Sequence, residues 1–272
     1  MNSTFLTLLF FYAIINGFRR CITIEYNLNI YKAGILMGGF FDRLMEWFSH
    51  IATEFENSFI KEDRYMLLLE GIGVTVKVAL LAAALGLVVG FIIALCNLSK
   101  KKGLNVIGKV YTDIIRGTPS VTQLMIIYFV IFASVGWPKW IIAAIAFAVN
   151  SGAYVSEIIR AGILSIDKGQ TEAGRSLGLS GTQTMMNIII PQAVKNIFPA
   201  LCNEFITLIK ETAIVGYVGL MDIQKAGDFI KSATYKPLFP LLATAVIYFV
   251  LIKILTVLLG KLEKKLRKAD NR

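Results

Sequence analysis

One histidine, three cysteines and six prolines in 272 residues leave little room for several kinds of chemistry. His50 has no second ligand beside it, so no metal cluster is specified. A Ser/His/Asp arrangement would have to use that same histidine in the N-terminal segment, which excludes it in practice. Cys21, Cys96 and Cys202 are scattered, form no CxxC pair and read as small apolar residues. The GxxxxGK[ST] phosphate loop is missing, so the chain does not hold ATP by that device. Charge is also scarce, at 17%. The net charge of +10 could suggest nucleic acid, but the basic residues sit in short clusters beside apolar runs, which the positive-inside rule explains without it.

What is abundant is apolar residue, 56% of the chain with a mean hydropathy of +0.66. Soluble domains carry roughly 45–50%. The sequence therefore predicts an all-α membrane protein with five transmembrane helices, over 71–95, 121–135, 141–163, 198–220 and 238–259. Lys77, the one charge in the first span, should snorkel outward. Residues 97–118 carry five Lys/Arg against one Asp, and the tail 261–272 carries six against two acids, so both belong in the cytoplasm. Segment 37–70 has three basic and seven acidic residues and fits the outside, giving an outer N-terminus and a cytoplasmic C-terminus.

Residues 1–36 form an uncertain leader. Their apolar run 1–18 resembles a signal core but lacks preceding basic residues, and as a sixth span it would put Arg19 and Arg20 on the wrong side. A mature start near Met37 is the alternative, which N-terminal sequencing decides. In 37–70, Leu44, Phe48, Ile51, Phe55 and Phe59 recur at helical spacing opposite Asp42, Glu46, Glu54 and Glu56. This amphipathic lead-in fits a membrane interface or a solvated helix equally well.

The transmembrane domain 71–260 is interrupted by a polar loop, 165–191, placed in the cytoplasm by the charge pattern. Asp167 with Gln170 reads as a capping box that opens a short helix, broken near Gly178 and Gly181. Ser180 with Gln183 reads as a second box. A loop this long and self-capped predicts a docking surface more than a tether.

Ionisable groups inside spans are costly and point to function. Tyr154, Glu157 and Arg160 share one helix face; either Glu157 and Arg160 pair with each other, or Glu157 with Asn150 and Tyr154 faces a solute path and meets an ammonium. In the fourth predicted span Asn203, Thr207, Lys210 and Glu211 form a polar stripe beside Glu204, facing either a path or a protein interface. Arg116, before Pro119, is read as a positive-inside anchor.

EAGRSLGLSGTQTMMNIIIP from Glu172 resembles the EAA loop of the membrane subunits of ATP-binding cassette importers. YTDIIRGTPSVTQL from Tyr111, GAYVSEIIRAGILSIDKGQ from Gly152 and IIPQAVKNIFPALCNEFITLIKETAIVG from Ile189 are similar to the polar amino-acid permeases of that class. The likeness runs from about Glu70 to the tail. It implies a type I importer architecture, a cytoplasmic ATPase dimer that binds ATP and Mg, a second permease copy or sister permease, an extracytoplasmic solute-binding protein, a polar amino acid as cargo and a lipid bilayer as surroundings. The chain itself would hold no cofactor and would not be an enzyme. Gln170, Glu172, Ala173, Gly174, Gly178, Leu179 and Pro191 would couple to the ATPase, and Asn150, Tyr154, Glu157, Arg160, Asn203, Glu204, Thr207 and Lys210 would belong to the substrate pathway. Gly174 stands where the pattern usually has Ala, and Ala213 where a Ser commonly follows Lys-x-Thr, which bears on substrate preference. The alternative is a proton- or ion-coupled carrier or channel using Glu157, Glu204 and Glu211.

Overall fold

The computed structural model describes residues 38–268, with side chains from 42 to 265; the predicted leader 1–36 lies outside the described residues. Helices account for every regular element among them. In order these are α1 (Gly38–Phe55), α2 (Tyr65–Leu98), α3 (Lys102–Arg116), α4 (Ser120–Ile126), α5 (Lys139–Leu164), α6 (Lys168–Ser176), α7 (Gly181–Thr184), α8 (Ile190–Glu211), α9 (Ile223–Thr234) and α10 (Leu238–Lys268). They fall into two compact units, one of residues up to 65 with 230–240, the other of 66–229 with 241–268.

In the first unit α1 runs into a π-helical turn, Glu56–Ile60, and a 3-10 turn, Lys61–Asp63. Phe55 packs against Phe59 with rings tilted by 60° and 5.0 Å between centres, and lies edge-on against Phe239 at 6.3 Å. Lys236 donates to the Glu54 carboxylate. That bond, with the lysine charge, holds the Glu54 carboxyl below the usual carboxylate range. Arg64 fixes the turn by donating to the Asn57 carbonyl and the Glu62 carboxylate, both at 2.9 Å.

In the second unit α2 is 34 residues long, about 51 Å at ~1.5 Å per residue, and outspans the roughly 30 Å of a hydrocarbon core. Its buried side is a ladder of small residues, Gly71, Thr75, Ala79, Ala82, Gly86, Gly90 and Ala94, while Leu80, Leu87, Phe91 and Leu95 point away. With no hydrophobic drive between helices in lipid, such ladders let backbones approach and gain dispersion contact. A Cβ on Gly90 would lie 2.4 Å from Val155 Cγ1, and one on Gly152 only 2.7 Å from Val89 Cγ1. The α2–α5 crossing is thus as close as the chains allow. Around it Val78, Leu124, Phe147, Leu208 and Val215 form the core.

Among the described residues three helices, α2, α5 and α10 as far as Lys265, are long and apolar enough to cross a membrane. The predicted second span, 121–135, differs from what is found. Its helical part is only Ser120–Ile131, about 18 Å at 1.5 Å per residue, and it reaches span length only together with α3, from which it bends by 105°. Gly117, Thr118 and Pro119 make the break: Pro119 has no N–H, takes extended backbone (ψ 135) and stands just before α4. The predicted fourth span, 198–220, is likewise two elements. α8 begins at Ile190, continues through Pro199 and ends at Glu211, where a 3-10 stretch Thr212–Val218 takes over; with its polar stripe it is less apolar than α2, α5 and α10. α10 is the most exposed of the long helices, with Val246, Phe249, Val250 and Ile254 open on its surface. One polar tie is Tyr248, whose hydroxyl donates to Asp222 Oδ2 at 3.2 Å.

Candidate functional site

The loop between α5 and α8 is built by local bonds. Asp167 Oδ1 accepts from the Gly169 N–H at 2.6 Å and opens α6. The reciprocal half of the predicted box is absent; Gln170 instead accepts from the Gln192 amide at 3.3 Å, across to the start of α8. Glu172 and Ala173 are exposed on α6. The helix stops in a Schellman motif: Leu179 N–H bonds the Gly174 carbonyl at 3.2 Å, and Gly178 N–H the Arg175 carbonyl at 3.0 Å. Gly178 sits at φ +82 with open space where a Cβ would be, so backbone geometry selects glycine there. Arg175 closes the turn by donating to the Leu179 carbonyl at 2.8 Å.

The second box is complete. Ser180 Oγ accepts from Gln183 N–H at 3.2 Å, and Gln183 Oε1 accepts from Ser180 N–H at 2.8 Å. Gly174 is buried, and a Cβ on it would meet Thr184 Cγ2 at 2.7 Å, so the two short helices touch where the family pattern usually has Ala. Helical backbone then runs on without a stop through a π-helical turn, Met185–Ile189, into α8, with Pro191 in its first turn. Leu177, at the knuckle, is left 80% exposed.

The polar residues of the long helices meet in pairs. Arg160 grips Glu157 in a fork, Nη2 to Oε2 at 2.8 Å and Nε to Oε1 at 3.1 Å. Of the two readings of Glu157, the structure has the internal pair with Arg160. Asn150 donates to Gln123 Oε1 at 2.9 Å, and Tyr154 lies under the Arg116 guanidinium at 5.3 Å. Arg116 is therefore more than a charge anchor. Glu204 accepts from Ser151 Oγ at 2.8 Å, joining α8 to α5, while Asn203, Thr207 and Lys210 form an exposed stripe and Glu211 is half-buried. Lys77 does not simply snorkel: its ammonium lies over the Trp140 ring, 3.7 Å from the centre.

Two further residues carry structure that sequence reading passed over. Gln123 donates to the carbonyls of Ile115 (2.7 Å) and Thr118 (3.1 Å) and to Thr118 Oγ1 (2.7 Å), bridging the break. A glutamine inside an apparent apolar span, four residues after a proline, was the available signal. Asp222, fully buried, caps α9 by accepting from the N–H groups of Gln224 and Lys225. Its signal was an acid just before an amphipathic run.

Residues 86–268 match the binding-protein-dependent transport system inner membrane component family. The chain belongs to that family. A putative glutamine transport system permease protein of Rickettsia bellii is 42% identical over 205 residues, 75% of this chain and 94% of that protein. The arginine transport system permease protein of Bacillus subtilis is 44% identical over the same shares. In three dimensions the permease resembles a solved amino acid ABC transporter (TM-score 0.70, 41% identity, 76% of this chain and 98% of that one). The inward-facing MetNI methionine ABC transporter, at 19% identity and a TM-score of 0.65 over 74% and 96%, shares the fold. As a member of this family, the permease is the membrane component of a transport system that works with a binding protein.

Proposed function

We propose that the chain is the permease subunit of an importer that carries polar amino acids across a bacterial-type cytoplasmic membrane by alternating access. The relatives named for glutamine and arginine motivate the cargo. The observation that carries the mechanism is the loop, a rigid knuckle with Leu177 thrust outward and a helix leading from it into α8. Two copies, or this chain with a sister permease, would each offer such a loop to one subunit of a cytoplasmic ATPase dimer that binds ATP and Mg. Gln170, Glu172, Ala173, Gly174, Gly178, Leu179 and Pro191 form this coupling surface. The exposed Asn203, Thr207 and Lys210, with Glu204 beside them, face the substrate path or the second permease, and Asn150, Tyr154, Glu157 and Arg160 brace the wall behind it. The reading has five crossings, α2, the α3–α4 pair, α5, α8 with its 3-10 extension, and α10, of which α2, α5 and α10 are long and apolar enough singly. The N-terminus would then lie outside, next to the solute-binding protein, and the basic tail 261–272 inside, as the positive-inside rule favours.

The test is uptake in proteoliposomes holding the permease, its ATPase and its binding protein. Gly178→Asp should leave membrane insertion intact and reduce ATP-driven glutamine or arginine uptake to background. Wild-type ATP-dependent uptake in that variant would rule out the docking role. Uptake that follows a proton gradient and ignores ATP would favour the carrier alternative.

A further inference from the structure

α1 precedes residue 86, where the family match begins, and plays no part in the pathway above. At about 100° per residue its side chains separate into two arcs. Leu44, Trp47, Phe48, Ile51 and Phe55 occupy one; Asp42, Glu46, Ser49, His50 and Thr53 occupy the other. The apolar arc is covered toward its C-terminal end, where Phe55 meets Phe59 and Phe239. It is bare further back: Trp47 is 58% exposed and Phe48 53%, their rings edge to face at 5.2 Å.

Two connections tie this helix to membrane-crossing segments. Only the residues 56–64 separate Phe55 from Tyr65, the start of α2. Glu54 and Phe55 also touch Lys236 and Phe239, at the start of α10. A helix end fixed to the beginnings of two apolar helices sits at the boundary between water and lipid, where an indole with an apolar body and a polar N–H is favoured. We infer that α1 lies in the membrane interface, with Leu44, Trp47 and Phe48 among the upper acyl chains and Glu46, Ser49 and Thr53 toward water. The charged residues of α1 among those described are Asp42, Glu46 and Glu54 against Arg43, so the helix suits zwitterionic rather than anionic headgroups.

The chain has three tryptophans. Trp137→Phe with Trp140→Phe leaves Trp47 as the reporter. In the full chain reconstituted in phosphatidylcholine vesicles, lipid brominated near the headgroup end of its acyl chains should quench Trp47, and aqueous iodide should barely do so. Quenching by iodide alone overturns the inference in favour of a solvated helix, and protection from both quenchers overturns it in favour of a protein cover. Replacing phosphatidylcholine by phosphatidylglycerol should weaken the lipid quenching; stronger quenching overturns the choice of headgroup. Because Trp140 supports Lys77, the same quenching is also read as the component lost on Trp47→Phe in the otherwise unaltered chain, which keeps the test decisive if the double variant fails to fold.

Discussion

The break between α3 and α4 can be tested through the amide that spans it. In an unbroken helix the Ile115 carbonyl would accept from the N–H of residue 119, but that residue is Pro119. Gln123 Nε2 supplies the donor instead at 2.7 Å, while Thr118 Oγ1 serves the Ile114 carbonyl at 2.9 Å. Gln123 Oε1 in turn accepts from Asn150, which is only 4% exposed. Gln123→Leu keeps the volume but strands the Asn150 amide and the Ile115 carbonyl, and a buried polar group left unpaired costs about 1–3 kcal/mol. The expected loss is about 2 kcal/mol, with a similar or smaller loss for Asn150→Leu. The double variant should lose less than the sum, by about 0.6 to 1.7 kcal/mol, the span found for hydrogen bonds between membrane helices. Reversible unfolding in mixed micelles of rising dodecyl sulfate fraction measures all four corners of the cycle. Losses that add to within about 0.3 kcal/mol would refute the idea that the two amides act as one unit.

Other expectations follow from the same geometry. Gly90→Val must displace the stiff Val155 at the α2–α5 crossing and should cost about 1–3 kcal/mol in the same assay, whereas Gly73→Val, which meets open space, should be nearly silent. Gly174→Ala should loosen the knuckle, seen as faster proteolysis there, and Thr184→Ser with Ile188→Val should restore it by removing Thr184 Cγ2 and Ile188 Cδ1 while keeping the hydroxyl bond to the Ser180 carbonyl; no rescue would mean the clash is not the cause. The Glu54–Lys236 contact is held by a carboxylate whose pKa lies below its unfolded value, so its contribution is present above the ordinary carboxylate range and disappears as pH falls through the lowered value. Hydrogen exchange at the end of α1, corrected for the intrinsic rate at each pH, should therefore lose protection on acidification, and Lys236→Met should weaken that pH dependence, with His50 still 3.7 Å from the same carboxylate.

Much of this was readable from the chain because single residues decide it. Ser180 with Gln183 makes a box wherever helix follows, and Gly178 ends α6 because no other residue is at ease at φ +82. The small side of α2 is also visible as a periodic series. What hydropathy could not show is where an apolar stretch stops being one helix. The predicted second span begins at 121, just past the 105° bend, and hydropathy does not show that its helix stops at Ile131 and reaches span length only with the charged, amphipathic α3 before Gly117. α8 misleads in the opposite sense, since its polar stripe lowers the average of a helix that is structurally intact. Pairings were ambiguous for a different reason: spacing puts Glu157 near both Arg160 and Tyr154, and only the fork geometry separates them.

The uninterrupted helical path from Gly181 to Glu211 has a mechanical consequence. From the capped start beside Gly178 to Glu204, where Ser151 of α5 takes hold, is 23 residues, or about 35 Å at ~1.5 Å per residue. Such a rod converts a small tilt at one end into a displacement at the other: about 5° moves the far end by ~3 Å, the length of one hydrogen bond. Its soft places are the wide turn at Met185–Ile189, near the end that would be pushed, and Pro199, which removes one helical hydrogen bond. A tilt taken up at either would leave Glu204 still, so the stiffness of these two places sets how much of a stroke reaches the Ser151–Glu204 bond.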